Sequence, residues 1–173
     1  RAYSKVNRLG DALKLLSGYL KVAPDSTTAR YNYAHYLARA GDYNESVAQY
    51  EKVLYMGLEN PEEVHLNLSN LFSERLGDHQ MSRHHLSKAL ELNPTYAAAW
   101  FNLGNLNEQM GNLVGARTCF DKVTEIDDKA GGALARIADL TRFDERDEVD
   151  MLRAMEEKLH GNENPNPDLM FSL

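Results

Sequence analysis

At 173 residues, 43% apolar and 26% charged, the chain has the length and composition of a globular domain with a core of its own. Its formal charge of −7 counts against nucleic acid or an anionic membrane as the main partner, because no Lys/Arg cluster supplies the basic face that phosphates demand. The longest apolar stretch, 96–101, is far too short to cross a bilayer, and no signal peptide opens the chain. These features favour a cytoplasmic protein. The start at Arg1 without methionine points to further residues upstream. Cys119 stands alone, so no internal disulfide is possible, and a small half-buried helix residue is the expected role.

In chain order, apolar spacing predicts helices over roughly 9–22, 26–40, 43–56, 61–76, 78–92, 95–110, 113–127, 131–142 and 145–160. Nowhere does strand-like alternation persist. Gly41, Gly77 and Gly111 are placed to end helices in a left-handed residue. Asp42 and Asp78 are candidate N-caps, with Glu45 completing a capping box after Asp42, and Asn60-Pro61 reads as a cap followed by a first-turn proline. Gly131-Gly132 break the chain before a stripe of Leu134, Ile137 and Leu140. Asp144 would cap a last amphipathic helix carrying Val149, Leu152, Met155 and Leu159, with a loop after Gly161. The closing apolar residues, Leu169 to Leu173, read as the start of a further, truncated helix.

The sequence repeats itself. Asn67-Leu68-Ser69-Asn70-Leu71 returns as Asn102-Leu103-Gly104-Asn105-Leu106, and Asn32, Asn67 and Asn102 stand 35 residues apart, with Arg136 following 34 later. Around them run Trp100-x2-Leu103-Gly104-x2-Asn107 with Ala116-x3-Phe120, His65-x2-Leu68-Ser69-x2-Phe72 with Ser82-x3-Leu86 and Pro94, and Arg30-x2-Tyr33-Ala34-x2-Leu37 with Ser46-x3-Tyr50. A half copy, Ala12-x3-Leu16 with Pro24, opens the chain. This pattern resembles the tetratricopeptide repeat. The resemblance implies an all-α fold, a right-handed superhelix of antiparallel helix pairs. It divides the single domain into a partial repeat over 1–26, full repeats over 27–61, 62–96 and 97–130, a divergent pair over 131–160 and a terminal segment over 161–173. The small residues Ser46, Ser82 and Ala116 would let paired helices approach closely, and Trp100 is expected in the core. Between Asn70 and Gly77 the middle copy carries one residue more than its successor, which predicts a loosened turn near Arg75-Leu76. The tail from Ala135, through "DEVDMLRAMEEKL" to "DLMFSL", is similar to the segment after the repeats in bacterial proteins that join tetratricopeptide repeats to a sulfotransferase. On that likeness, catalysis would lie beyond Leu173.

The resemblance further implies that the first helix of each pair lines a concave surface where extended peptides lie. Asn32, Asn67 and Asn102 would then form a ladder like that of the O-linked N-acetylglucosamine transferase superhelix, pairing with peptide backbone through donor and acceptor alike. Asn70 and Asn105, with His35 in the equivalent place, fall three residues on and face the same way. Tyr31, Leu66 and Phe101 precede the ladder and would offer side-chain pockets, and Arg136 would hold a carboxylate or close the ladder off. The family's carboxylate clamp lacks its lysines, replaced here by Thr28, Tyr31 and Ala98. The expected function is a scaffold binding a protein or peptide, with a substrate-presenting accessory domain of a sulfotransferase as the alternative. RNA-reading helical repeats are a third class, disfavoured by the acidic balance. No phosphate loop, nucleophile elbow or CxxC pair appears, so neither catalysis nor a cofactor is expected of this chain. His79, His84 and His85 lack chelating spacing and read as solvated helix surface, and the acidic run from Asp144 to Asp150 as a charged outer face.

Overall fold

The computed structural model describes residues 2–141 together with Val149 and Arg153. Among them the fold is all-α: α1 (Ala2–Val22), α2 (Thr27–Ala40), α3 (Tyr43–Met56), α4 (Pro61–Asn70) running into a π-helical turn (Leu71–Leu76), α5 (His79–Leu92), α6 (Ala97–Gln109) and α7 (Leu113–Ile126). A further helix, α8, covers 131–141. The expected helix over 145–160, its cap Asp144, and the part from 142 onward of the tail likened to the segment after the repeats lie outside the described residues, save that Val149 and Arg153 are helical. So does the terminal segment 161–173.

The chain folds as hairpins because its glycines stop helices two residues before the next begins. Gly41, Gly77 and Gly111 adopt φ of 90°, 69° and 77°, conformations that a side chain disfavours. So short a link forces α2 back along α3, α4 along α5 and α6 along α7. The caps are only partly as the sequence suggested. Asp78 accepts from the Met81 amide at 2.9 Å, and Asn112 does the same for Gly115 at 3.0 Å. Asp42 and Asn60 occupy the cap positions without a side-chain cap bond. Glu45 is drawn elsewhere: its carboxylate accepts from Gln49 at 2.6 Å, and Gln49 accepts from Arg30 at 2.7 Å, so no capping box forms.

The extra residue of the middle repeat is absorbed as the π turn over 71–76, ending at Gly77. The Asp78 amide donates back to the Phe72 carbonyl at 2.8 Å, closing the wider loop. α1 is longer than the sequence suggested, beginning at Ala2 rather than near residue 9.

The core is a row of junctions. Ala34, Tyr50, Val53, Val64, Leu68 and Leu71 tie the first hairpin to the second. Leu86, Ala89, Ala99 and Leu106 tie the second to the third, and Ala116, Phe120, Val123, Ala133 and Leu140 tie the third to α8. Ser46, Ser82 and Ala116 are fully buried between paired helices, and the Ser46 hydroxyl donates to the Ala34 carbonyl at 2.8 Å. Trp100 is only partly buried, with its indole N–H donating to the Pro94 carbonyl at 2.9 Å. Trp100→Ala is therefore expected to cost about 2–3 kcal/mol, at or below the lower end for a buried aromatic, as read by chemical denaturation.

Candidate peptide-binding face

Asn67 and Asn102 lie where α2, α4 and α6 meet, each bonded to the first helix of the preceding repeat. Four residues of α4 and its π turn form one stripe at spacings of four, three and four: Glu63, Asn67, Asn70 and Glu74. Asn67 Nδ2 donates to the Tyr31 hydroxyl of α2 at 2.9 Å, and that hydroxyl donates to Glu63 Oε1 at 2.7 Å. Burial, with the Glu63 carboxylate adding to it, pushes the Tyr31 phenol up to about 12, which keeps it a hydrogen-bond donor. One repeat further on, Asn102 Nδ2 of α6 donates to Asn70 Oδ1 at 2.7 Å. Each of these two asparagines thus spends one N–H on the preceding repeat and keeps the other, together with its carbonyl oxygen.

Two cavities open along this face. One, of about 160 Å³ between α2 and α4, is walled by His35, Asn67, Asn70, Glu74 and Arg75 over Ala38, Tyr50 and Leu71. The second, of about 220 Å³ between α4 and α6, is walled by Asn70, Ser73, Glu74, Asn102, Asn105 and Gln109, with Ser69, Ser82, Leu86 and Leu106 beneath. Asn70 and Glu74 border both, so the two adjoin. Tyr31 belongs to a third, of about 180 Å³, with Thr28, Leu58, Glu59, Asn60 and Glu63.

The residues singled out in sequence are distributed unevenly over this geometry. His35, Asn67, Asn70, Asn102 and Asn105 come together around the two adjoining cavities. Asn32 is exposed on α2 and absent from their walls. Phe101 is half-buried in the junction core, with its ring centre 5.5 Å from that of Phe120. Leu66 likewise packs on the core between the second and third hairpins. Arg136 reaches back one repeat to Glu108, with Nη2 2.8 Å from Oε2, so its charge is matched by a carboxylate of the protein itself. Glu63 and Glu74 were overlooked in the sequence, although their spacing from Asn67 and Asn70 on one helix would have revealed them.

The histidines need correction. His85 is not solvated surface: it is 6% exposed, its ring stacks on Phe72 at 5.5 Å and 8°, and its Nδ1 lies 2.9 Å from His65 Nδ1. His85 falls on the same buried stripe as Ser82, Leu86 and Ala89, a position that spacing among the histidines alone does not disclose. Burial pushes its imidazolium down to about 4, helped by the neighbouring His65 and His84, while His84 is exposed. Cys119 is 4% exposed, and burial raises its thiol even though Asn107 Nδ2 approaches the sulfur at 3.5 Å. No group of three or more metal-ligating side chains occurs among the described residues. No described helix is long and apolar enough to cross a membrane.

Comparison with known proteins agrees with this architecture. The tetratricopeptide-repeat family pattern matches over 1–61, 62–96 and 85–118, together spanning 1–118. Among solved structures, YrrB, described as a TPR protein with an unusual peptide-binding site, is 27% identical, with a TM-score of 0.63 over 82% of this chain and 72% of its own. A tetratricopeptide repeat protein from Parabacteroides merdae gives 0.72 at 22% identity, covering 93% of this chain and 64% of its own. The first TPR of Spaghetti, bound to an HSP90 peptide, gives 0.60 at 16% identity over 67% of this chain and 90% of its own. No curated protein sequence matches the chain.

Proposed function

The chain belongs to the tetratricopeptide-repeat family, and from that premise we propose that it is a scaffold that holds an extended peptide, or an extended segment of a partner protein, along the face shared by α2, α4 and α6. The observation that carries the reading is convergence: polar side chains from three successive repeats wall two adjoining cavities. A carboxamide both donates and accepts, so Asn67, Asn70, Asn102 and Asn105 suit a peptide backbone whatever its side chains. Each such bond contributes about 1 kcal/mol net, so capture needs several at once. The bonds from Asn67 to Tyr31 and from Asn102 to Asn70 hold the amides in place before a ligand arrives, which lowers the ordering cost of binding. That YrrB is described as having a peptide-binding site fits this use of the fold.

The test is capture of peptides from a displayed random dodecapeptide pool. Asn67→Ala with Asn102→Ala is expected to lower stability by about 1–2 kcal/mol, because two inter-helix bonds go, and to abolish capture. The Asn105 side chain makes no hydrogen bond to the described residues, so Asn105→Ala should leave the melting temperature alone and weaken capture about fivefold. Undiminished capture by both variants would overturn the reading.

A further inference from the structure

We infer that the segment held on this face carries a lysine or arginine side chain, seated in the cavity between α4 and α6 against Glu74. The inference rests on the reading above and adds to it the chemistry of the occupant.

Of the residues walling that cavity, Glu74 alone is charged; the rest of the polar wall is amide and hydroxyl. Amides and hydroxyls accept an ammonium or guanidinium as readily as a neutral donor, whereas a carboxylate discriminates. An anionic side chain placed here would face Glu74 with no cation on the wall to offset it. A cationic one would gain charge-assisted bonds from Glu74 and from the carbonyl oxygens of Asn102 and Asn105.

Glu74 is also the carboxylate on this face with most left to give. Glu108 is closed by Arg136 at 2.8 Å, and Glu63 accepts the Tyr31 hydroxyl at 2.7 Å. The cation nearest Glu74 is Arg75 at 3.8 Å, outside hydrogen-bond length, and both side chains are more than half exposed. The Arg75 guanidinium instead lies 5.9 Å from the centre of the Tyr43 ring. Arg75 and His35 wall the neighbouring cavity between α2 and α4, so a cationic group is directed to the α4–α6 side of Glu74. Glu74 itself sits in the π turn that the additional residue of the middle repeat creates, and this gives the irregularity a role in recognition.

The probe is the same displayed dodecapeptide pool, followed by synthetic copies of a captured sequence. Captured sequences should share a Lys or Arg at one position, and replacing that residue by Glu should weaken binding to the intact chain at least tenfold. Glu74→Gln should bind the Lys form of the peptide about tenfold more weakly than the intact chain does, and no better than the Gln form, and Glu74→Lys should turn the preference toward an acidic residue, with helicity and melting unchanged in both. Capture without any enriched basic position, or discrimination that survives in Glu74→Gln, would overturn the inference and leave the scaffold reading standing. Failure of the intact chain to capture any peptide would overturn both.

Discussion

Phe120→Ala is expected to destabilise the protein by about 3–5 kcal/mol, more than Trp100→Ala. Phe120 is completely buried and packs with Ala116, Val123, Ala133 and Leu140, so it joins the α6/α7 hairpin to α8. In a stack of repeats each junction holds only its neighbours, so the loss should appear first as faster amide exchange over residues 97–141. The same ring explains why position 104 is glycine where the other repeats have Ala34 and Ser69. A Cβ built on Gly104 would stand 2.6 Å from Phe120 Cε1. Gly104→Ala alone should therefore destabilise: overpacking of about 1–3 kcal/mol outweighs the roughly 1 kcal/mol of helix propensity that alanine brings. In the Phe120→Ala background the obstruction is gone, and Gly104→Ala should stabilise by about 1 kcal/mol. Urea denaturation of the four proteins gives the coupling directly, and strict additivity would refute the contact.

How much of this was legible in the sequence depends on the range of the physics involved. Helix ends written by glycine are local, and Gly41, Gly77 and Gly111 all end helices in a left-handed conformation. The one-residue excess between Asn70 and Gly77 was readable by counting, because a hairpin of fixed register has to store an additional residue somewhere, and it does so as a π turn. What escaped depends on which neighbour a side chain finds. Glu45 had the spacing of a capping box, but Gln49, held by Arg30 from α2, outcompeted the backbone for it. Phe101 adjoins the asparagine register in sequence, yet the ring of Phe120 draws it into the junction. The bonds between Asn67 and Tyr31 and between Asn102 and Asn70 cross from repeat to repeat, and a pattern within one repeat carries no record of them.

His85 escaped for the same reason, and its burial has a consequence in solution. With its pKa lowered from 6.5 to about 4, and that of His65 lowered by burial with help from His84 and Lys88 against Glu91, both rings are neutral when folded at pH 7. Their shared contact at 2.9 Å requires one Nδ1 to donate and the other to accept, which protonation of both would abolish. Because the folded value lies below the unfolded one, the unfolded chain binds more protons as pH falls. The contribution is thus fully present above pH 6.5 and is lost progressively toward pH 4. At about 1.4 kcal/mol per unit of pH, His85 alone should withdraw about 2 kcal/mol of stability between pH 6.5 and 4.5. Other groups also take up protons on acidification, although Glu91 is held low by its bond to Lys88. The measurement is therefore a difference: urea denaturation at pH 7 and pH 4.5 for the intact chain and for His85→Phe, whose ring can keep the stack on Phe72. The variant should start less stable at pH 7, since His65 loses its partner, but should lose about 2 kcal/mol less on acidification. An equal loss in both proteins would show that this pair does not set the acid limit of the fold.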